Sequence, residues 1–369
     1  MDTIRSQELR EARRKRLLAE FRDPALKYLR DGEGAGIVPR EYVEGLIAYL
    51  ESRYDECIEK SHEAMQRAPW FYQAKILEGD VNLSRGDQKR DAGDRDGALI
   101  EYATADQAYR MAARIGESDP LTYARIANVW KIAMFSELYG SGKDMALNRQ
   151  RALDAASDAL KADPDNADVH VLISNVCRTW SESEVRAGRN PEEWLDRSFE
   201  SARTAIRLRP RNAAAHAVLG ASHQLAAQFA IEHGQDPTPA FTQAVDELER
   251  ARRLAPTHDS AIMNLANCYW ALGEFQLSHG QDPRHALQAG IRNLERAIEL
   301  FPGFANLYNN LGNCRQDIGV WEMAHGADPV TSFEAAVQAH TKALQLNPKH
   351  IYADGNLGND YACRARYKM

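Results

Sequence analysis

The stretches EHGQDP (232–237), SHGQDP (278–283) and AHGADP (324–329) are three spellings of one phrase, and RAGRNP (186–191) is a blurred fourth. Their prolines, Pro191, Pro237, Pro283 and Pro329, recur every 46 residues. A second column keeps the same period: ALKADP, AIRLRP, ARRLAP, AIELFP and ALQLNP end at Pro164, Pro210, Pro256, Pro302 and Pro348. Two registered columns identify a repeat array, in which each unit buries its apolar face against its neighbours. Looser copies precede them, SHEAMQRAP ending at Pro69 and AARIGESDP ending at Pro120.

The phrase has a physical reading as a helix–turn–helix signal. Gly188, Gly234, Gly280 and Gly326 each follow a helical stretch, where a left-handed residue ends a helix without a steric cost; Gly93 has the same offset in an earlier unit. Asp236, Asp282 and Asp328, with Asn190 in the blurred copy, are expected to cap the next helix, and the proline to occupy its first position. A ligand-binding reading of His233, His279 and His325 is weaker. Equivalent residues of successive helix pairs lie on the order of 16–20 Å apart, too far for one zinc ion with bonds near 2 Å. A histidine in the last helical turn instead complements the helix dipole.

Small residues fall in register with the prolines. Five before them stand Ala64, Ala159, Ala205, Ala251, Ala297 and Ala343, with Ile115 as the exception. Ten after them stand Gly79, Ser174, Gly220, Ala266, Gly312 and Gly358, with Trp130 as the exception. Such columns let helix axes approach closely, with Leu208, Leu254, Leu300 and Leu346 expected as apolar filling.

At these residues the chain resembles a family. LYNNLGNC (307–314), AIMNLANCYWALG (261–273) and ADGNLGNDYA (353–362) resemble the first helix of a tetratricopeptide repeat (TPR), and FEAAVQAHTKALQLNP (333–348) resembles its second helix. YVEGLIAYLESRYDECIEKSHEAMQRAP (42–69) is similar to a complete repeat of ordinary length. The resemblance implies a right-handed superhelix of antiparallel helix pairs with a concave groove. An ordinary repeat has 34 residues; here twelve more lie between the Leu-Gly column and the second helix. Apolar columns persist through them (Phe229, Phe275 and Trp321; Ile231, Leu277 and Met323), so the first helix is expected to continue, from about Ala213 to His233. Gly273 and Gly319 stand where an ordinary repeat would turn, but Ser181 and Ala227 fill the same column.

Composition sets the outer limits. The chain of 369 residues is 44% hydrophobic and 27% charged, as folded proteins are. Its net charge of −7 disfavours nucleic acid as the main partner. The exception is the leading segment with Arg5, Arg10, Arg13, Arg14, Lys15 and Arg16, read as a solvated helical face. No apolar run reaches the ~20 residues of a membrane span, and the start lacks an apolar signal core. Cys57, Cys177, Cys268, Cys314 and Cys363 are dispersed and read as reduced core thiols. A cytosolic protein is expected.

Catalytic chemistry finds no foothold. YGSGKDM (139–145) lacks the spacing of a phosphate loop, DGEGAGIVP (31–39) reads as a linker, and no H-E-x-x-H, G-x-S-x-G or kinase catalytic loop is present. No enzyme, metal or cofactor is expected. The suggestive residues are asparagines. Eight after the prolines stand Asn128, Asn264, Asn310 and Asn356; eleven after stand Asn175, Asn267, Asn313 and Asn359. The offset of three puts both columns on one helical face. The TPR resemblance implies that such asparagines line the groove and hydrogen-bond a bound peptide backbone. An amide offers donors and an acceptor without the desolvation cost of a charge. The alternative is that they face water or bond between repeats. The lysine clamp some TPRs use for a C-terminal carboxylate is not assembled, since Lys131 is isolated.

A further resemblance covers AEFRDPALKYLRDGEGAGIVPREYVEGLIAYLESRYDECIEKSHEAMQRAPWFYQAKILEGDVNL (19–83), which is similar to the segment after the kinase domain in bacterial serine/threonine kinases with TPR arrays. It implies an accessory signalling region. The expected fold is therefore an all-α TPR-like solenoid: a helical extension and Gly-rich linker over 1–37, then about seven helix pairs and a terminal helix over 38–369. The expected function is a non-catalytic scaffold holding a peptide or partner domain in its groove. The alternatives are a regulatory module of a kinase or other effector enzyme and, less favoured, a nucleic-acid-binding repeat. The sequence stops after a first helix, HIYADGNLGNDYACRARYKM (350–369), so that helix is expected to act as a cap or to be covered by more chain or by self-association.

Overall fold

A computed structural model describes residues 23–32, 38–138, 142–348 and 350–368. The leading arginine cluster, most of the Gly-rich linker and the centre of the YGSGKDM segment lie outside the described residues. The fold is all-α, an α-solenoid of antiparallel helix pairs, and no strand occurs among the described residues. The chain divides into two compact units, with the division between Arg209 and Pro210.

In the first unit, α1 (Asp23–Gly32) leads four pairs: α2 (Arg40–Leu50) with α3 (Tyr54–Arg67), α4 (Gln73–Asp91) with α5 (Arg95–Ile115), α6 (Pro120–Leu138) with α7 (Met145–Ala162), and α8 (Ala167–Arg186) with α9 (Glu192–Leu208). The second unit has three pairs and a terminal helix: α10 (Ala213–Glu232) with α11 (Thr238–Leu254), α12 (Asp259–Ser278) with α13 (Arg284–Leu300), α14 (Ala305–Ala324) with α15 (Val330–Leu346), and α16 (Ile351–Lys368). No helix among the described residues is long and apolar enough to cross a membrane.

The repeated phrase does what its residues suggest. Gly93, Gly188, Gly234, Gly280 and Gly326 have φ between +66° and +88°. After α10, Gln235 N–H donates to Ala230 O (2.8 Å) and Gly234 N–H to Ile231 O (3.1 Å), the paired bonds of a Schellman end. The same pair closes α4, α8, α12 and α14. One detail differs from expectation. The proline sits at the N-cap rather than at the first helical position, and the aspartate lies one residue farther out. From there Asp236, Asp282 and Asp328 still accept from the N–H two residues on, each at 3.0 Å. Each histidine folds onto the aromatic four residues earlier, with His233 on Phe229 at 4.0 Å and His325 stacked on Trp321 at 3.6 Å. Its Nδ1 donates to that residue's carbonyl oxygen (2.9 Å for both).

The first helices do run through the extension, and α12 and α14 pass Gly273 and Gly319 without a break. The glycines are there for packing. A Cβ on Gly273 would lie 2.4 Å from Leu287, and one on Gly319 2.7 Å from Phe333. The twenty residues of α10 span about 30 Å at ~1.5 Å per residue.

Burial explains the small columns and removes their exceptions. Ala64, Ala159, Ala205, Ala251, Ala297 and Ala343 are all fully buried. The carbonyl of each accepts the N–H of its helix's C-cap residue, as Ala205 O does from Arg209. In α5 that carbonyl belongs to Ala112, bonded by Gly116 N–H, whereas Ile115 is exposed. The register of this repeat therefore lies three residues earlier than Pro120 suggests. The shift replaces Ile115 by Ala112 and Trp130 by Ala127, both fully buried. The leucine column fills the core only in part: Leu300 packs against the core of the second unit, Leu254 and Leu346 are half-buried, and Leu208 is exposed. All five cysteines are buried and free, and burial pushes the Cys177 thiol up to about 11.

A further capping column escapes the sequence reading. Asn166, Asn212, His258 and His350 sit at the start of α8, α10, α12 and α16, each accepting a backbone N–H three residues on (3.2, 3.2, 3.3 and 3.1 Å). Phe304 holds this place before α14 and makes no side-chain cap.

Candidate functional site

Within each unit the first helices touch one another in series: α2, α4, α6 and α8 in the first, α10, α12, α14 and α16 in the second. Among the described residues the second helices show no comparable series. Within each unit the first helices thus form a layer, and the asparagine columns lie along it.

In the second unit the asparagines bond from one helix to the next. Asn310 Nδ2 donates to Asn267 Oδ1 (2.7 Å), and Asn356 Nδ2 to Asn313 Oδ1 (2.8 Å). Each rung joins the residue eight after one proline to the residue eleven after the previous one. The register shift in the first unit shows the same rung in charged form. Arg125 and Asp80 take these two places and form an ion pair, with Tyr109 O–H also donating to Asp80 at 2.6 Å. Asn128 consequently belongs to the second column rather than the first, opposite Leu172, which has no donor to offer. Asn264 faces the place of Ala221, which has no acceptor. Among the described residues neither Asn128 nor Asn264 has a hydrogen-bond partner. Asn175 Nδ2 donates to Val171 O of its own helix (3.1 Å), and Asn359 is exposed.

The lower rung runs into a buried polar cluster that the sequence reading misses. His340 and Asp360 are fully buried, with His340 Nδ1 2.6 Å from Asp360 Oδ2. His340 Nε2 lies 3.2 Å from Asn309 O and 3.1 Å from Asn313 Oδ1. Asn309 O can only accept, so Nε2 is placed to donate to it. Asp360 Oδ1 has no partner. Gly312 makes room for the ring, since a Cβ there would lie 2.3 Å from Nε2. A signal was present: His340 stands in the column of Leu248 and Leu294, and Asp360 in that of Cys268 and Cys314. Asn313, 8% exposed, therefore holds repeats together through its carbonyl oxygen, which both His340 and Asn356 reach.

The layer also carries ionisable groups shifted by burial. Trp270 Nε1–H donates to Asp317 Oδ2 at 3.2 Å. Burial, with the nearby charge of Glu274, pushes the Asp317 carboxyl up to about 7. In the first unit, burial holds the Lys131 ammonium below its ordinary range. No group of three or more His, Cys, Asp or Glu suited to a metal occurs among the described residues.

No protein-family model matches this chain, and no curated protein matches it in sequence. Among solved structures it is similar to the C-terminal part of a TPR repeat-containing protein from Cytophaga hutchinsonii, at 13% identity and a TM-score of 0.47, covering 86% of this chain and 99% of that one. It is also similar to YrrB, described as a TPR protein with an unusual peptide-binding site (19% identity, TM-score 0.37, 67% of this chain and 96% of that one). A third is the MamA protein (20% identity, TM-score 0.37, 63% and 97%). The helix arrangement given above comes from the chain's own packing.

Proposed function

We propose that this chain is a non-catalytic TPR-type scaffold that binds a peptide or partner domain along its layer of first helices. The observation that carries the reading is an unpartnered amide on the first-helix layer of each unit. Asn128 and Asn264 retain donors and an acceptor, while most of their column-mates are engaged within the protein. An extended peptide backbone offers the complementary N–H and C=O groups. Of the eight asparagines expected to bind, Asn128 and Asn264 are the strongest candidates and exposed Asn359 the next. Asn267, Asn310, Asn313 and Asn356 act chiefly by fixing the helices on which the face is built.

The test is affinity capture with the purified chain, followed by Asn128→Ala and Asn264→Ala. Loss of partner retention in at least one variant, with unchanged helicity, supports the assignment. Retention unchanged in both sinks it. The regulatory-module reading and the bacterial setting rest on the sequence resemblance, the cytosolic setting on the missing apolar signal core and dispersed cysteines, and the boundary near residue 37 on the Gly-rich linker.

A further inference from the structure

The first unit carries a side-chain stack that neither repeat packing nor the asparagine face explains. Arg149 on α7 lies in the cleft between Trp180 on α8 and Trp194 on α9, its guanidinium carbon 3.9 and 4.3 Å from the two ring centroids. Arg197, one turn along α9, places its own guanidinium 4.3 Å from the Trp194 ring. The indoles hold both cations by their faces. What they leave unmet are the in-plane N–H donors, five on each guanidinium.

Neither arginine is hydrogen-bonded or paired with a carboxylate among the described residues, and Arg149 Nε is buried without an acceptor. Arg90, Arg178 and Arg315, half-buried as Arg149 is, each hold an acidic side chain, whereas Arg151, stacked alone on Trp130 at 4.2 Å, holds none among the described residues and has no second guanidinium on its ring. The carboxylates nearest in effect are Glu184 and Glu193. Glu184 is already taken by Arg189, at 2.7 and 2.9 Å, while Glu193 is exposed in the first turn of α9. Burial and the charge of Arg197 also hold Arg149 below the ordinary arginine range. The stack belongs to one repeat: the places of Trp180 and Trp194 are filled by Ala226 and Ala240 in the next unit, and by Leu272 and Ala286 in the one after.

We propose that Arg149 and Arg197, held by Trp180 and Trp194, form an oxyanion site for a phosphate monoester or inorganic phosphate. Both guanidinium carbons lie within 4.3 Å of one centroid, so they are at most roughly 9 Å apart, and the site requires both to turn N–H groups to the same side of the Trp194 ring, where a tetrahedral dianion accepts bonds of about 2.7–2.9 Å from each. Two uncompensated cations favour a dianion over a single carboxylate. A nucleic-acid strand fits less well, because the indole faces on which bases would stack already carry guanidinium groups. The site lies on different helices from those bearing Asn128 and Asn264 and is independent of the proposed function.

The test is isothermal titration of the full chain in a non-phosphate buffer at constant ionic strength, with inorganic phosphate, a short phosphoserine peptide, its unphosphorylated form and a single-stranded oligonucleotide. Saturable binding of phosphate or phosphopeptide is expected, weakened about tenfold or more by Arg197→Ala, whose exposed side chain can be removed without opening the core. Arg149→Lys keeps the charge, loses the fork and is expected to weaken binding similarly. If the phosphopeptide binds more tightly than both phosphate and its unphosphorylated form, the source is a modified partner. Equal binding of phosphate and phosphopeptide identifies the free ion. The proposal is overturned if neither binds, if Arg197→Ala leaves the affinity unchanged, or if only the oligonucleotide binds.

Discussion

Replacing Asp317 by asparagine should stabilise the second unit at alkaline pH and leave it nearly unchanged in acid. Burial against Trp270, with Glu274 nearby, raises the Asp317 carboxyl from 3.8 to about 7. A raised carboxyl means that the folded protein binds more protons than the unfolded chain between those two values. Stability contributed by this group is therefore fully present below the unfolded value and falls as pH rises toward 7. A tenfold change in an ionisation constant is worth about 1.36 kcal/mol, so with the partial access of water to this face the cost of ionisation is about 2–4 kcal/mol. Asparagine keeps an oxygen to accept from the Trp270 indole and does not titrate. Urea unfolding of wild type and Asp317→Asn, followed by circular dichroism at pH 4.5 and 8, reads the difference directly. The variant should gain about 2–4 kcal/mol on wild type between the two pH values. An equal difference at both would show that the carboxyl is not destabilised by burial, and the reasoning would fail.

Other outcomes follow from the packing. Gly312→Ala drives a methyl into the His340 ring and should destabilise the second unit by about 1–3 kcal/mol, seen as a lower denaturant midpoint. Gly358→Ala, in the same column with nothing within 4 Å, should instead raise stability by up to about 1 kcal/mol through helix propensity. Gly280→Ala forces a side chain onto φ +68° and should cost about 1 kcal/mol, without any change at the asparagines. Asn212→Ala removes the oxygen that caps α10 and should cost about 1 kcal/mol in the same assay.

Much of this fold is legible before any coordinates, because repetition makes each rule visible several times. Glycine in the phrase, alanine before the proline and glycine within the first helix each answer to a local requirement, respectively a left-handed turn, full burial and room for a facing side chain. Legibility fails where a requirement is met only once. The repeat ending at Gly116 has a different loop length, so alignment by Pro120 misplaces Asn128 by one column, and only the Ala112 carbonyl bond reveals the true register. The leucine column is followed only in part, because residues near the end of a second helix lie at the edge of the core: Leu300 packs against it, while Leu208 is exposed. The asparagines divide for a related reason. Whether an amide is free depends on what the neighbouring repeat offers it, and that neighbour stands 43 residues away for Asn267 and Asn310. Sequence columns show the amide but not its partner. The Asp360–His340 pair is visible there only as two polar intruders in apolar columns.

Binding of a partner along the first helices is tested most directly by hydrogen exchange with mass spectrometry on the chain with and without its captured partner. Added protection is expected on α6 around Asn128 or on α12 around Asn264, with the second helices α7, α11 and α13 unaffected. Protection confined to the second helices would contradict a binding face on the first.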